Sequence, residues 1–231
     1  MPRNVKLFAA CVGALGLGLL ALSLATAESH DAARYAVFAA LALIASTWKV
    51  KLPGMQGTMS ANFLFILIGV AELSLGETLA MASLAAIVQC HWRARKRPAR
   101  VQVLFNLGAI SLSGYASYRV AHLFSAAPYE PAYLAIAAAV FFVINTGLVS
   151  QVLALIEGKR LFEVWRNCHL WTFPYYLAGA GIAAVMCAAN RIIGWKRSLL
   201  PFALMYLLYK HYRIYLGERL RLIADAAPKT S

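Results

Sequence analysis

The stretch AYLAIAAAVFFVINTGLVSQVLALI, residues 132–156, contains no charged side chain. A helix rises 1.5 Å per residue, so about 20 apolar residues cross the roughly 30 Å hydrocarbon core of a bilayer. The stretch is longer than this requirement, and it lacks the apolar and polar alternation of a barrel strand. It therefore predicts a transmembrane helix.

Similar apolar segments recur along the whole sequence, between charged residues and turn residues. Hydrophobic residues make up 61% of the chain and charged residues 13%, against about 25% charged in soluble domains. Hydrocarbon satisfies no backbone amide, so the segments are predicted to be helices. The predicted fold class is an all-α polytopic transmembrane helical bundle, with a single domain over 1–225 and a flexible tail over 226–231. Its eight candidate segments are 7–26, 33–48, 60–75, 78–92, 101–124, 132–156, 172–192 and 198–216.

Two of these segments, 60–75 and 78–92, are short and are joined by a tight turn over residues 72–77. They are either two thin spans or one re-entrant hairpin. Both arrangements leave the flanking basic loops on the same side of the membrane, so charge counting does not separate them. The sequence predicts six to eight membrane segments. One arrangement within this range is six spans plus a re-entrant hairpin.

The first segment imitates a secretory signal peptide, because Arg3 and Lys6 precede an apolar run and Ala25-Thr26-Ala27 follows it. The run over 7–26 is longer than the roughly 7 to 15 residues of a signal-peptide core, and it is long enough to span. We therefore expect a retained helix.

The distribution of Lys and Arg predicts the orientation, because these residues accumulate in short cytoplasmic loops. Most of them fall on one side if both termini are cytoplasmic, and this also accounts for the net charge of +13 without a nucleic-acid partner. The expected partner is a bilayer with anionic headgroups. Several acidic residues fall in or beside the predicted outside loops: Glu28, Asp31, Glu72, Glu77 and Glu130. The basic residues predicted outside are Arg34, Arg119, Arg191, Lys196 and Arg197.

A candidate anion-binding surface lies on the predicted cytoplasmic side. The loop over 51–60 contains Pro53, Gly54 and Gly57, which disfavour a regular helix, and it leads into an apolar segment whose free amides could attract an anion. Alternatively the loop is a turn with a helix cap, and the arginines touch lipid phosphates. The candidate residues are Lys49, Lys51, Thr58, Ser60, Arg93, Arg95 and Arg97.

Polar side chains within the predicted spans form a second candidate set. Amides in hydrocarbon tend to face protein partners or a cavity, so we expect them to face the bundle interior. There they would form hydrogen bonds between helices or line a ligand cavity. The set comprises Asn62, Gln89, Gln102, Asn106, Asn145 and Gln151.

No motif in the sequence indicates catalysis or a cofactor. The four cysteines have no Cys-x-x-Cys spacing, and the histidines have no metal-ligand spacing. Neither a Gly-x-Ser-x-Gly motif nor a phosphate-binding loop occurs. We therefore predict no metal site, no cofactor and no enzymatic activity. The stretch over 162–166 is predicted to form a short interfacial amphipathic helix.

A set of short motifs occupies the middle of the chain: Lys51-Leu52-Pro53-Gly54, Gly57-Thr58-Met59-Ser60, Glu72-Leu73-Ser74, Val88-Gln89, Trp92-Arg93, Arg97-Pro98, Val101-Gln102-Val103 and Phe105-Asn106. Further residues of the set lie near the C-terminus: Tyr209, Tyr212-Arg213, Tyr215-Leu216 and Glu218-Arg219. In these residues the sequence resembles the N-terminal multi-helix membrane sensory region of bacterial HD-GYP and GGDEF cyclic-di-GMP signalling proteins.

The resemblance implies an inner-membrane sensory module that binds a small or lipid-like ligand, or a partner, and relays through its C-terminal helix. We expect that helix to run from about Leu204 to about Ile223 and to contact a second copy or a cytoplasmic signalling partner. No effector domain follows Ala226 in this sequence. The alternative is a transporter or the substrate-capture subunit of a transporter, because central amides and a short helix pair also suit that function.

Overall fold

The computed structural model describes residues 2–27, 31–47, 49–50, 59–60, 62–92, 94, 97–124 and 131–197. In these residues a two-residue antiparallel ladder pairs β1 with β2, and Lys49 lies opposite Ser60. Leu170–Thr172 forms one 3₁₀ turn. The strands are β1 (Lys49–Val50) and β2 (Met59–Ser60), and the helices are α1 (Arg3–Ala25), α2 (Ala32–Ser46), α3 (Asn62–Glu72), α4 (Leu75–His91), α5 (Arg100–Phe124), α6 (Pro131–Glu157), α7 (Leu161–Cys168) and α8 (Phe173–Ile193).

The all-helical class predicted from the sequence is confirmed, apart from the two-residue ladder. Among the residues that the structure describes, three stretches are long and apolar enough to cross a membrane: Arg3–Ala25, Pro131–Glu157 and Leu161–Ile193. The apolar helices Ala32–Ser46 and Asn62–Glu72 are shorter. The range of six to eight spans remains a prediction, and the segment 198–216 lies outside the described residues.

The chain divides into two compact units, Met1–Ala188 and Ala189–Ser231. In the first unit, the ends of α1, α3 and α5 lie at one pole together with the beginnings of α2, α4 and α6. Contacts between α2 and α3, α1 and α4, and α5 and α6 define this pole, which we call the pocket pole. Successive helices from α1 to α6 therefore run in alternating directions, as expected for the successive membrane segments predicted from the sequence. In the second unit, the ammonium of Lys196 lies 5.7 Å from the ring centroid of Trp195.

Glycines bring α1 and α5 into direct backbone contact. A Cβ added to Gly16 would collide with the backbone of Gly108, and one added to Gly108 would collide with the carbonyl of Val12. Phe8 and Phe105 extend the same contact, with ring centroids 6.4 Å apart. Small residues permit this close approach, which drives helix packing where lipid removes the hydrophobic advantage.

The short helix α3 lies inside the first unit. Every residue from Asn62 to Val70 is buried, although the helix has only 11 residues. Its Phe63 ring lies 5.2 Å from Phe141 of α6 and 4.5 Å from Tyr176 of α8, measured between centroids. At about 1.5 Å per residue, α3 extends roughly 16 Å, about half the hydrocarbon thickness.

The amphipathic helix predicted over 162–166 is present as α7, at the pole opposite the pocket pole. Trp165 Nε1 donates to Thr146 Oγ1 of α6 at 2.8 Å, and His169 Nδ1 lies 2.9 Å from Ser150 Oγ. These contacts fix α7 against the end of α6, while Phe162 remains 65% exposed. We call this end of the unit the α7 pole.

Candidate functional site

Polar side chains from several helices meet around the end of α3 at the pocket pole. A helix leaves its last four carbonyls without intrahelical partners, and a buried helix end must satisfy them elsewhere. Here Arg34 Nη2 donates to the Glu72 carbonyl at 2.7 Å, and Tyr133 Oη donates to the Val70 carbonyl at 3.2 Å. Residues on α2 and α6 therefore satisfy two of the carbonyls at the end of α3.

Arg34 and Glu72 also form an ion pair, with Nη1 and Oε2 3.1 Å apart. The Glu72 side chain is 9% exposed, whereas the Arg34 side chain is 27% exposed. Burying a carboxylate is costly unless it is paired, and the guanidinium supplies a donor to the Glu72 side chain as well as to its carbonyl. The thiol of Cys187 on α8 lies close to Glu72 as well. One acidic residue thus connects α2, α3 and α8.

The turn after α3 is fixed by a capping box at the beginning of α4. Glu77 Oε2 accepts from the Ser74 backbone amide at 3.0 Å and from Ser74 Oγ at 2.9 Å. Ser74 Oγ in turn accepts from the Glu77 amide at 3.4 Å. This reciprocal pattern stabilises a helix start and places a carboxylate in its first turn, where the helix dipole favours negative charge.

His122 connects α5 to α6 beside the same turn. Its Nδ1 lies 2.7 Å from Tyr133 Oη and 2.8 Å from the Tyr118 carbonyl. Tyr133 gives its only hydroxyl proton to Val70, so its oxygen accepts from His122, and Nδ1 carries a proton. The His122 ring also stacks on Tyr118, with centroids 4.0 Å apart.

These groups surround a cavity of about 360 Å³, which we call the α2–α5 pocket. Its volume lies in the lower part of the range for small-molecule sites, roughly 300–1,000 Å³. Charged, hydroxyl and aromatic side chains line it together, which suits selective binding of a small polar molecule. Its lining comprises Asp31, Arg34, Ala71, Glu72, Leu73, Ser74, Glu77, Tyr118 and His122.

Among the described residues, no group of three His, Cys, Asp or Glu side chains is arranged to hold a metal ion. Asp31 accepts from the amide of Arg34 at 2.9 Å as the N-cap of α2. The pocket acids therefore sit at separate helix ends instead of converging on one point. Chemically, the arrangement can bind and orient a polar ligand.

The anion-binding surface predicted from the sequence falls largely outside the described residues. Lys51, Thr58, Arg93 and Arg95 belong to that undescribed part. Lys49 lies in β1 and Ser60 in β2, so Ser60 is not the residue next to the start of α3 at Asn62. Arg97 is exposed. The surface remains a prediction.

The predicted intramembrane amides occupy different environments. Asn62 is 2% exposed, and its Oδ1 has no hydrogen-bond partner among the described residues, whereas Gln89, Asn145 and Gln151 are half-buried. Asn145 lies close to Tyr176 of α8.

Two members of the predicted set are exposed rather than interior. Gln102 Oε1 accepts from the Ala99 amide at 2.9 Å, so it caps the beginning of α5. Asn106 Nδ2 lies 3.1 Å from Cys90 Sγ on α4. None of these amides lines the α2–α5 pocket.

The pocket residues are not predicted as a site from the sequence. Asp31, Glu72 and Glu77 are predicted only to lie in or beside outside loops, and Arg34 is predicted to be one of the basic residues on that side. The available signal was the combination of Ser74-x-x-Glu77, which is a capping-box pattern, with Arg34 at the beginning of another segment on the same predicted side. Which helix Arg34 contacts depends on tertiary packing.

No protein-family model, curated protein or solved structure matches this chain, so the assignment of the α2–α5 pocket depends on its own geometry.

Proposed function

We propose that this protein is a multi-pass inner-membrane sensory module that binds a small ligand in the α2–α5 pocket and relays its occupancy to the opposite side of the membrane. The observation that carries the proposal is the contact of Arg34 with Glu72. This contact lies in a cavity and joins α2 to the end of a buried helix. A ligand that competes for either charged group would change how α3 is held.

The route of relay follows from the helices that α3 contacts. Its end is tied to α2 by Arg34 and to α6 by Tyr133, and α6 continues to the α7 pole, where Thr146 and Ser150 hold α7. Packed helices therefore connect the two poles continuously. A movement of α3 at the pocket pole could change the position of α7 through α6. In this proposal both termini are cytoplasmic, and the predicted C-terminal helix is the output.

A crosslinking experiment tests the relay without requiring a known ligand. Leu220→Cys and Ile223→Cys are introduced into a chain whose four native cysteines are replaced, and crosslinking is measured in native membranes. We expect a crosslinked dimer or partner, and we expect Arg34→Gln to change its yield. Arg119→Gln is the matched control, because Arg119 is an exposed arginine toward the end of α5, which also lies at the pocket pole.

Two outcomes of the crosslinking experiment would contradict the sensory proposal. One is the absence of any crosslinked species at both positions with normal expression. The other is a yield that is the same in the parent, Arg34→Gln and Arg119→Gln proteins.

The alternative function is a transporter or its substrate-capture subunit. It is favoured by α3, a short buried helix joined to α4 by a capped turn, because transporters build binding sites from interrupted helices within the bundle. Uptake by proteoliposomes distinguishes the two functions. Time-dependent accumulation of a pocket ligand would support transport, whereas saturable binding without accumulation would support sensing.

A further inference from the structure

We infer that the α7 pole binds the headgroup of an anionic phospholipid between the beginnings of α1 and α5 and the end of α6. The inference goes beyond the proposed function, because it requires neither the α2–α5 pocket nor the relay. It follows from the packing of three helices, from the charges that this packing brings together, and from the exposed apolar side chains beside them. We call the place the α1–α6 junction, and its basic residues are Arg3, Lys6, Arg100, Lys159 and Arg160.

An apolar cluster joins the three helices near the α7 pole. Its buried members include Ala9 of α1 and Phe105 of α5, and Val152 of α6 packs against it. The rings of Phe8 and Phe105 lie 6.4 Å apart, measured between centroids. From this cluster α1 and α5 extend back to their beginnings and α6 extends forward to its end, all in the same direction.

The three helices reach the same level at this pole. Phe8 follows Arg3 by five residues, and Phe105 follows Arg100 by five residues. At 1.5 Å per residue, each interval measures roughly 7.5 Å along the helix axis. The helix α6 extends the same five residues beyond Val152 before it ends. Basic residues from three segments that are distant in the sequence therefore lie around one junction.

Positive charge is in excess at the junction. All five of its basic residues are exposed. Among the described residues, the structure pairs only Lys159 of this set with an acid, through the 2.8 Å contact of its ammonium with Glu157. Neither the first turn of α1 nor that of α5 contains an acidic residue. Like charges that converge repel each other, so an anion would stabilise this arrangement.

The helix ends at the junction add to this positive charge. A helix beginning carries roughly half a positive charge, and a helix end carries roughly half a negative charge. Two helices begin at the junction and one ends there, so one of the positive ends is not offset. Pro2, the N-cap of α1, provides no side-chain hydrogen bond to the amides of the first turn. The helix ends therefore favour an anion, as the side chains do.

Exposed apolar side chains flank the basic residues. Leu7, which follows Lys6, is 66% exposed, and Ile156, in the last turn of α6, is 49% exposed. A phospholipid would place its headgroup at the charges and its acyl chains along these two side chains. An inorganic anion would use only the charges, so the combination favours a phospholipid.

The general preference of basic residues for the cytoplasmic side does not require them to converge. The opposite face of α6 provides a comparison at the same pole. Leu148 packs against the cluster of α1 and α5, whereas Thr146 accepts a hydrogen bond from Trp165 of α7. Residues two apart on a helix lie on nearly opposite faces. Arg166 of α7 therefore shares the pole with the junction but lies on the other side of α6.

Titration of the full-length protein with lipid in detergent, followed by native mass spectrometry, tests the inference. The anionic probe is palmitoyl-oleoyl-phosphatidylglycerol, and the zwitterionic control is phosphatidylcholine with the same acyl chains. We expect phosphatidylglycerol to bind saturably and at least about tenfold more tightly, because each basic residue near an anionic headgroup contributes about fivefold. The difference should shrink as the ammonium acetate concentration rises, since salt screens exposed charges.

Two variants test the position of the site. Arg100→Gln and Arg160→Gln each remove one charge of the junction, and we expect each to weaken binding of phosphatidylglycerol about fivefold. Arg166→Gln is the matched control, because it removes an exposed arginine from the same pole on the other side of α6. It should leave the affinity within about twofold, since exposed charges more than about 10 Å apart are largely screened. A thermal melt of each variant checks that it is folded.

Competition with inorganic phosphate separates a lipid site from a site for a free anion. Sodium phosphate is added in large excess to the protein with bound phosphatidylglycerol, and sodium chloride at equal ionic strength is the control. We expect phosphate to release no more lipid than chloride does, because it makes no contact with Leu7 or Ile156.

Four results would overturn the inference. Phosphatidylcholine binds the parent as tightly as phosphatidylglycerol does, or phosphate releases the lipid where chloride does not. Folded Arg100→Gln and Arg160→Gln both bind like the parent, or Arg166→Gln weakens binding as much as they do, which would indicate a diffuse basic surface instead of a junction. The comparison of the two lipids on the parent does not depend on how any variant folds.

Discussion

A few polar side chains at the pocket pole perform two tasks at once. Arg34 pairs with the Glu72 carboxylate and also donates to its carbonyl, which is the last of α3. Tyr133 donates a hydrogen bond to the Val70 carbonyl of the same helix. Of these two residues, Arg34 also lines the cavity, so the stability of α3 and occupancy of the pocket are linked.

Replacing Arg34 with glutamine should destabilise the protein. The change leaves the 9% exposed Glu72 side chain without its guanidinium, and partial exposure of Arg34 moderates the cost to about 1–2 kcal/mol. For a chain of this size that corresponds to a midpoint about 2–8 °C lower in a thermal melt of the detergent-solubilised protein. Arg119→Gln should change the midpoint by no more than about 2 °C. Equal midpoints for the two variants would show that the ion pair does not hold the fold.

Tyr133→Phe removes one hydroxyl from a side chain that is fully buried. The Val70 carbonyl and His122 then lose a partner, which should lower the free energy of unfolding by about 1–3 kcal/mol. Tyr175→Phe is the control, because the Tyr175 side chain is 49% exposed. Denaturation followed by tryptophan fluorescence measures both. An unchanged transition for Tyr133→Phe would mean that the hydrogen bonds around His122 contribute nothing to stability.

At the scale of elements, the sequence predicts helices well and their contacts poorly. The predicted segments 101–124 and 132–156 agree with α5 and α6 to within one residue at each end, because long apolar runs between charges define a membrane helix. The interior position of α3 was not predicted, since an 11-residue apolar run has the same composition whether it faces lipid or protein.

The candidate site depends on contacts between helices that are distant in sequence. Arg34 and Glu72 are 38 residues apart, and Tyr133 and Val70 are 63 residues apart. No local pattern encodes such pairs. By contrast, the capping box of Ser74 and Glu77 is local and can be read directly from the sequence. The site could therefore be predicted in part, as a capped turn, but not as a pocket.

The contact between α1 and α5 should be sensitive to one methyl group. Gly16→Ala places a Cβ against the backbone of Gly108, so the helices must separate, at a cost of about 1–3 kcal/mol. Gly18→Ala on the same helix is the matched control, because nothing lies within 4 Å of its added Cβ. Thermal melts should show a lower midpoint for Gly16→Ala only. A lower midpoint for both variants would attribute the effect to α1 itself instead of to its packing.

At the scale of the whole molecule, the first unit has two chemically different ends. The pocket at the pocket pole is lined by three acids and one arginine, whereas the α7 pole exposes Arg160, Arg166 and Phe162. The hydrogen bond and charge of Glu157 raise the pKa of Lys159. Positive residues favour the cytoplasmic side, so the orientation predicted from the sequence places the α7 pole there.

The central claim is that the chain crosses the membrane so that the pocket pole and the α7 pole face opposite sides. Single cysteines at Phe124→Cys and Lys159→Cys, in a chain without its native cysteines, test it by labelling intact spheroplasts with a membrane-impermeant maleimide. Both native side chains are exposed. We predict that the cysteine at 124 is labelled in intact spheroplasts, and that the one at 159 is labelled only after lysis. Labelling of 159 in intact spheroplasts, or of neither position until lysis, would contradict the account.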